Sequence, residues 1–152
     1  MRIGLLGCGI VGGAFVELLN ERRAAIAATS GVELELARVA VRSITKERAG
    51  DLDPTLLTTD AQSVVDDPTI DLVVEVIGGI EPARSLIQSA LRSGKSVVTG
   101  NKELLANVGA DLYADADAAG VDLLFEAAVA GAIPIVRPLR ESLLGEDVTR
   151  LL

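Results

Sequence analysis

A chain of 152 residues, 49% of them hydrophobic, has the size of one domain and can bury one substantial core. Its net charge of −8 and aromatic content of 2% exclude nucleic acid and anionic membranes as partners, since polyanions recruit lysine and arginine patches and single strands need stacking platforms. No uncharged run reaches the roughly 18 apolar residues of a membrane span, the apolar start is too short and glycine-punctuated for a signal peptide, and the single Cys8 cannot form an internal disulfide, so a soluble cytoplasmic protein is expected.

Apolar runs and helical patterns alternate along the chain. A run over 2–6 precedes a helical pattern over 11–23, and a second run covers 35–41. A helix over 61–66 precedes a strand over 72–77, a helix over 82–92 precedes a strand over 96–99, and a helix over 110–119 precedes a strand over 121–125. The strands read as continuous β-branched and leucine runs, the pattern of parallel strands covered on both faces. The expected fold class is therefore α/β, a doubly wound parallel sheet in three layers, α/β/α. Asp60 is placed to cap the helix after it, Pro82 to start one, and Gly94 and Gly120 to end two. Beyond Pro134 a further helix is expected to about Leu143, and 148–152 reads as the opening of another strand.

Gly7-Cys8-Gly9-Ile10-Val11-Gly12 matches G-x-G-x-x-G between the first strand and the first helix. Gly7 allows the tight turn, Gly9 lets the backbone approach a pyrophosphate, and Gly12 lets the helix pack close to the strand. The helix-start amides, with Ile10 and Val11 among them, then face the phosphate charge. A glycine turn that binds nothing fits the motif in isolation, but its place inside a βαβ unit favours a dinucleotide and a Rossmann-type unit over 1–134. Cys8 between the glycines reads as a small packed side chain. Where an NAD-selective protein carries an acid at the end of the second strand, this chain has Arg42, with Lys46 and Arg48 close behind. Arginine suits a 2′-phosphate, so NADP is expected to bind at least as well as NAD, unless Arg42 simply points to solvent.

Ligands collect at the carboxyl ends of strands in such a sheet. The third long strand ends in Ile77-Gly78-Gly79, and the fourth in Thr99-Gly100-Asn101-Lys102. Ile77 and Gly78 are candidate cofactor contacts, although two glycines before a proline also make an ordinary turn. Lys102 is delivered to the crevice where nicotinamide and substrate meet; a solvated loop lysine is the competing reading. Glu75, within its strand, is expected to be paired and partly buried, with no catalytic role.

Val97-Val98-Thr99-Gly100-Asn101-Lys102-Glu103-Leu104-Leu105-Ala106, followed by Phe125-Glu126-Ala127-Ala128-Val129-Ala130-Gly131-Ala132-Ile133-Pro134-Ile135-Val136-Arg137-Pro138-Leu139, resembles homoserine dehydrogenase. Glu75-Val76-Ile77-Gly78-Gly79 and the Val41-Arg42 strand end are similar to that family too. The match runs in order over nearly the whole chain, with Gly100 where alanine is common and Ala132 where glycine is common. The resemblance implies NAD(P)-dependent interconversion of L-aspartate 4-semialdehyde and L-homoserine, on the route to threonine, methionine and isoleucine. It implies that Lys102 sits at nicotinamide and substrate. It also implies that backbone oxygens of Glu126, Val129, Gly131 and Ile133 bind a monovalent cation, usually sodium, for which hard oxygen ligands are suited. In the family the residues that bind the amino-acid substrate lie in a following α+β domain that makes a homodimer. The stretch 135–152 is then expected to be a connecting helix and the first strand of that domain, leaving a truncated chain that does not complete catalysis alone, and a start at Met1 argues against a fused upstream kinase. The competing readings are another two-domain NAD(P)-dependent dehydrogenase and a non-catalytic nucleotide-binding or redox-sensing module.

Overall fold

Six short runs of apolar residues become six parallel strands because each can hide both of its faces. In the computed structural model, which describes residues 1–46, 52–143, 145–147 and 149–150, the strands are β1 (Arg2–Leu6), β2 (Glu35–Ala40), β3 (Leu57–Thr58), β4 (Leu72–Glu75), β5 (Ser96–Thr99) and β6 (Leu123–Leu124). Their order across the sheet is β3-β2-β1-β4-β5-β6, every neighbouring pair parallel. The helices are α1 (Ile10–Ser30), α2 (Ala61–Asp66), α3 (Ala83–Arg92) and α4 (Lys102–Ala119).

The expected three layers are present. On one face Val16 and Leu19 of α1 pack with Ile3, Leu5, Val39 and Val74. On the other, Val64 of α2, Ile87 and Leu91 of α3, and Leu104 and Leu112 of α4 pack with Leu6, Val73 and Val97. Consecutive Val73 and Val74 thus enter opposite cores, which is why the strand reads as an unbroken apolar run. Among the described residues, no helix is long and apolar enough to cross a membrane.

Several boundaries differ from the sequence expectation. The first helix does not stop at Arg23 but runs to Ser30, because the alanine-rich stretch that follows keeps helical propensity without large apolar residues. It ends where Gly31 turns left-handed, φ 71°, and donates its N–H to the Ala27 carbonyl at 2.9 Å. The helix expected over 110–119 begins at Lys102. Val108 leaves helical geometry within it, φ −136°, and this break hid the first two turns from a periodicity reading. Strand β3 is two residues long and has no counterpart in the sequence expectation; among the described residues it is an edge strand paired only to β2. Strand β4 ends at Glu75, not at Ile77, so Val76 and Ile77 belong to the loop.

The helix expected beyond Pro134 is a short π-helical turn, Pro138–Ser142. Arg140 on that turn lies over the Tyr113 ring of α4 at 5.3 Å, and Tyr113 meets Phe125 edge-on at 6.0 Å. The strand expected over 148–152 falls largely outside the described residues, as does Arg48. Asp60 caps α2 as expected, accepting from Ser63 N–H at 3.1 Å, and Gly94 and Gly120 take left-handed conformations past α3 and α4. Pro82 stands one position before α3, at its cap.

Candidate functional site

Strand order reverses between β1 and β4, so the connections leaving these two strands diverge and open a crevice at their carboxyl ends. Three loops from the sequence reading converge there: Gly7 to Gly9 after β1, Val76 to Gly79 after β4, and Gly100 to Asn101 after β5.

The glycine loop is built tightly beneath and left open above. Gly7 has φ 96°, and a Cβ on it would lie 2.9 Å from the Val76 carbonyl oxygen. A Cβ on Gly12 would collide with the Gly7 carbonyl oxygen. These two glycines therefore let β1, α1 and the β4 loop touch backbone to backbone. A Cβ on Gly9 would meet nothing within 4 Å. Gly9 is the cap residue of α1 and offers no side-chain cap bond to the first amides of that helix, the kind of helix start at which anions bind. Ile10 and Val11 are 94% and 63% exposed, apolar side chains at the mouth of the same cradle. Cys8 is partly buried and packs against the core under α1.

Arg42 lies exposed just past β2, with Ser43 and Thr45 hydroxyls 3.1 Å apart beside it. Among the described residues from Val41 to Lys46 no acid stands at that strand end. Among the described residues Arg42 takes part in no ion pair. Gly78 and Gly79 have φ of 83° and 74°, and a Cβ on either would meet open space. Lys102 is exposed at the first position of α4, one residue past the buried Asn101. The crevice thus brings together Gly7, Gly9, Gly12, Ile77, Gly78 and Lys102, with Arg42 one strand away.

The turn after β6 lies apart from these loops in sequence. Glu126 opens one short 3-10 turn and Gly131 sits in a second, with Ala130 left-handed at φ 50° and Gly131 at φ 61°. A left-handed alanine is strained backbone. Glu126 Oε2 accepts from the Arg137 N–H at 3.2 Å, while its Oε1 is buried with no hydrogen-bond partner among the described residues. A buried carboxylate oxygen without a donor is costly. A hard cation beside this turn would relieve that cost.

Sequence reasoning missed what lies beneath the crevice. Glu75, expected to be partly buried, is fully buried, and so is Thr99 on the neighbouring strand. Glu75 accepts from the Thr99 hydroxyl at 2.6 Å and from the Ile77 N–H at 2.7 Å. Asn101 caps α4 by accepting from the Leu104 N–H at 3.1 Å and donates to the Gly79 carbonyl at 2.6 Å. The cap was legible in the sequence as an asparagine just before an apolar helical run. The cross-strand pair was not, because 24 residues separate its members.

A cavity of about 580 Å³ lies elsewhere, at the amino end of β2, lined by Val16, Arg23, Leu34, Leu52 and Leu56 among others. It contains none of the glycine loops, and the chemistry argued from the strand ends belongs to the crevice.

Comparison with known proteins agrees with this geometry. Residues 7–126 match the family described as homoserine dehydrogenase, NAD binding domain. The chain is 50% identical over 146 residues to a homoserine dehydrogenase of Corynebacterium glutamicum, covering 96% of this chain and 33% of that protein. With the homoserine dehydrogenase of Bacillus subtilis it shares 41% identity over 152 residues, 100% of this chain and 35% of the relative. A homoserine dehydrogenase crystal structure from Thiobacillus denitrificans superposes with a TM-score of 0.86 at 49% identity, covering 95% of this chain and 33% of that one. A hyperthermophilic archaeal homoserine dehydrogenase solved in complex with NADPH superposes with a TM-score of 0.76 at 29% identity, over 95% of this chain and 49% of that one. The chain spans about a third of the length of the curated relatives, and within that third it carries the Rossmann-type nucleotide-binding fold and its glycine cradle: it belongs to the homoserine dehydrogenase family.

Proposed function

We propose that this chain is the cofactor-binding portion of an NAD(P)-dependent oxidoreductase that interconverts L-aspartate 4-semialdehyde and L-homoserine, and that it binds nicotinamide dinucleotide without turning over substrate by itself. The observation that carries this reading is Gly9: an open Cβ position above an uncapped helix start, at the point where strand order reverses. Bound there, the reduced cofactor would supply hydride to the aldehyde carbon, and the oxidised cofactor would accept it from the alcohol carbon in the reverse direction. The amides at the start of α1 hold the pyrophosphate, and Ile10 and Val11 cover it from one side. Arg42 faces the adenosine ribose, where its planar donor fork suits the 2′-phosphate of NADP. Ile77 and Gly78 let the other half of the cofactor lie close to the backbone. Lys102 reaches the place where nicotinamide and substrate meet and stabilises the developing alkoxide or holds a substrate carboxylate.

Backbone oxygens of Glu126, Val129, Gly131 and Ile133 form the sodium site in this reading, supported by the unsatisfied Glu126 Oε1. The chain spans about a third of the relatives' length, and in this reading the acidic residues that select the amino-acid substrate, and the surface of a homodimer, lie outside it.

Calorimetric titration with NADPH and NADH, with a semialdehyde reduction assay on the same sample, tests the reading. Binding without turnover is expected, with NADPH at least as tight as NADH. Absence of binding at millimolar nucleotide would refute the cradle, and NADH binding more than tenfold tighter would refute the role given to Arg42.

A further inference from the structure

At the carboxyl ends of β4 and β5, beside an aliphatic core, stand three buried polar side chains: Glu75 and Thr99 at 0% exposure and Asn101 at 5%. An interior carboxylate is tolerated only when its oxygens are well supplied with donors. Glu75 meets that condition with three. Oε1 accepts from the Ile77 N–H at 2.7 Å and the Gly78 N–H at 3.3 Å, and Oε2 accepts from the Thr99 hydroxyl at 2.6 Å. The Thr99 oxygen accepts in turn from the Asn101 N–H at 3.1 Å. Asn101 closes the circuit by donating Nδ2 to the Gly79 carbonyl at 2.6 Å, while its Oδ1 caps α4 through the Leu104 N–H at 3.1 Å.

The loop after β4 is therefore gripped at Ile77, Gly78 and Gly79 by groups that also fix the first turn of α4, whose first residue is Lys102. A helix cap needs only the Oδ1 bond. The second bond from the same amide, to Gly79, has no role in capping and ties the two loops together. With the adenosine half directed toward β2 and Arg42, these loops flank the nicotinamide half.

We infer that Glu75, Thr99 and Asn101 are positioning residues that hold the glycine loop after β4 and the Lys102 end of α4 as one rigid wall of the nicotinamide subsite. The inference rests on the dinucleotide reading above and concerns the other half of the same site. None of the three side chains needs to touch the cofactor.

The test compares two probes on the 152-residue chain: NADPH, which spans the whole crevice, and adenosine 2′,5′-bisphosphate, which carries only the adenosine half. Thr99→Val removes the hydroxyl at nearly constant volume and is expected to weaken NADPH binding by about tenfold or more while the half-probe stays within about twofold. Thr99→Ser keeps the hydroxyl and is expected to restore NADPH affinity. Should Thr99→Val fail to fold, Asn101→Asp keeps the cap acceptor and replaces the donor to Gly79 by an acceptor, and the same split is expected. Equal losses for both probes, the signature of general loosening, would overturn the positioning role, as would undiminished NADPH binding in both variants. If the unaltered chain binds NADPH, the cofactor reading stands whatever the variants do. If it binds none, both readings fall together.

Discussion

Two glycines three residues apart are expected to respond to the same substitution in opposite ways. Alanine at an open helix-interior position gains about 1 kcal/mol over glycine. At Gly12 the new methyl would collide with the Gly7 carbonyl oxygen and lie 3.1 Å from its carbon and 3.4 Å from Val76 Cγ2. Gly7 has little room to retreat, because its own Cβ position lies 2.9 Å from the Val76 carbonyl oxygen. Overpacking costs about 1–3 kcal/mol, and the upper end applies where the obstacle is backbone. The net expected loss for Gly12→Ala is about 1–2 kcal/mol, a fall in Tm of roughly 2–8 °C for a chain of this size. At Gly9 the added methyl meets nothing within 4 Å, and φ is −86°, on the negative side that L-residues occupy.

Gly9→Ala should therefore keep its stability within about 1 kcal/mol, the scale of a cap exchange. Its NADPH affinity should nonetheless fall by at least about tenfold, since the methyl occupies the approach to the α1 amides. Thermal unfolding by circular dichroism and NADPH titration on both variants provide the comparison. A Gly9→Ala variant that binds like the parent would show that no pyrophosphate passes over that residue. A Gly12→Ala variant as stable as the parent would show that the β1–α1 contact relaxes freely.

Arg42→Ala is expected to weaken NADPH binding by about tenfold and leave NADH unchanged, the signature of a lost 2′-phosphate contact; equal losses for the two nucleotides in parallel titrations would contradict it. Asp60→Ala should destabilise by about 1 kcal/mol through the lost cap on α2, read as a lower midpoint in urea; an unchanged midpoint would mean that burial of Val64 and Val65 holds that short helix alone. Hydrogen bonds from Arg92, and secondarily from Gln88, hold the Asp115 carboxyl below its usual 3.8 against the opposing effect of burial. Its contribution is therefore present above that value and lost as pH falls through the lower folded value. Asp115→Asn should cost less than about 1 kcal/mol at neutral pH, because Arg92 is largely in solvent, with the gap to the parent closing below about pH 4. A gap that stays constant down to pH 2 would assign the loss to packing between α3 and α4.

The layout of the site was legible in the sequence because a doubly wound sheet places its ligand loops by rule. Each apolar run ends in glycine or a polar residue, and those ends fall on one edge of the sheet. Gly7, Gly9 and Gly12, the Gly78 loop and Lys102 could all be placed from this alone. Elements that depend on few residues were not legible: β3 is two residues whose strand character comes from β2 beside it, and the first turns of α4 were masked by the break at Val108. The Ala24 to Ser30 end of α1 was lost for the opposite reason, since alanines extend a helix without marking a face.

Glu75 shows most clearly where reading along a chain runs out. In sequence it is an acid inside an apolar strand, a residue type normally excluded from such a place. Its meaning comes from register: β4 and β5 pair with Glu75 beside Thr99, Val74 beside Val98 and Val73 beside Val97. A slip of one residue would turn Thr99 to the opposite face and leave the Glu75 carboxylate against a valine. The buried pair thus penalises wrong registers more heavily than valine against valine can, because valines accept either neighbour. The Glu75–Thr99 bond favours one pairing of these strand ends, and through the Thr99 oxygen it continues to Asn101, whose amide ties the β4 loop to the start of α4, so the register of β4 on β5 and the alignment of the crevice share one connected network.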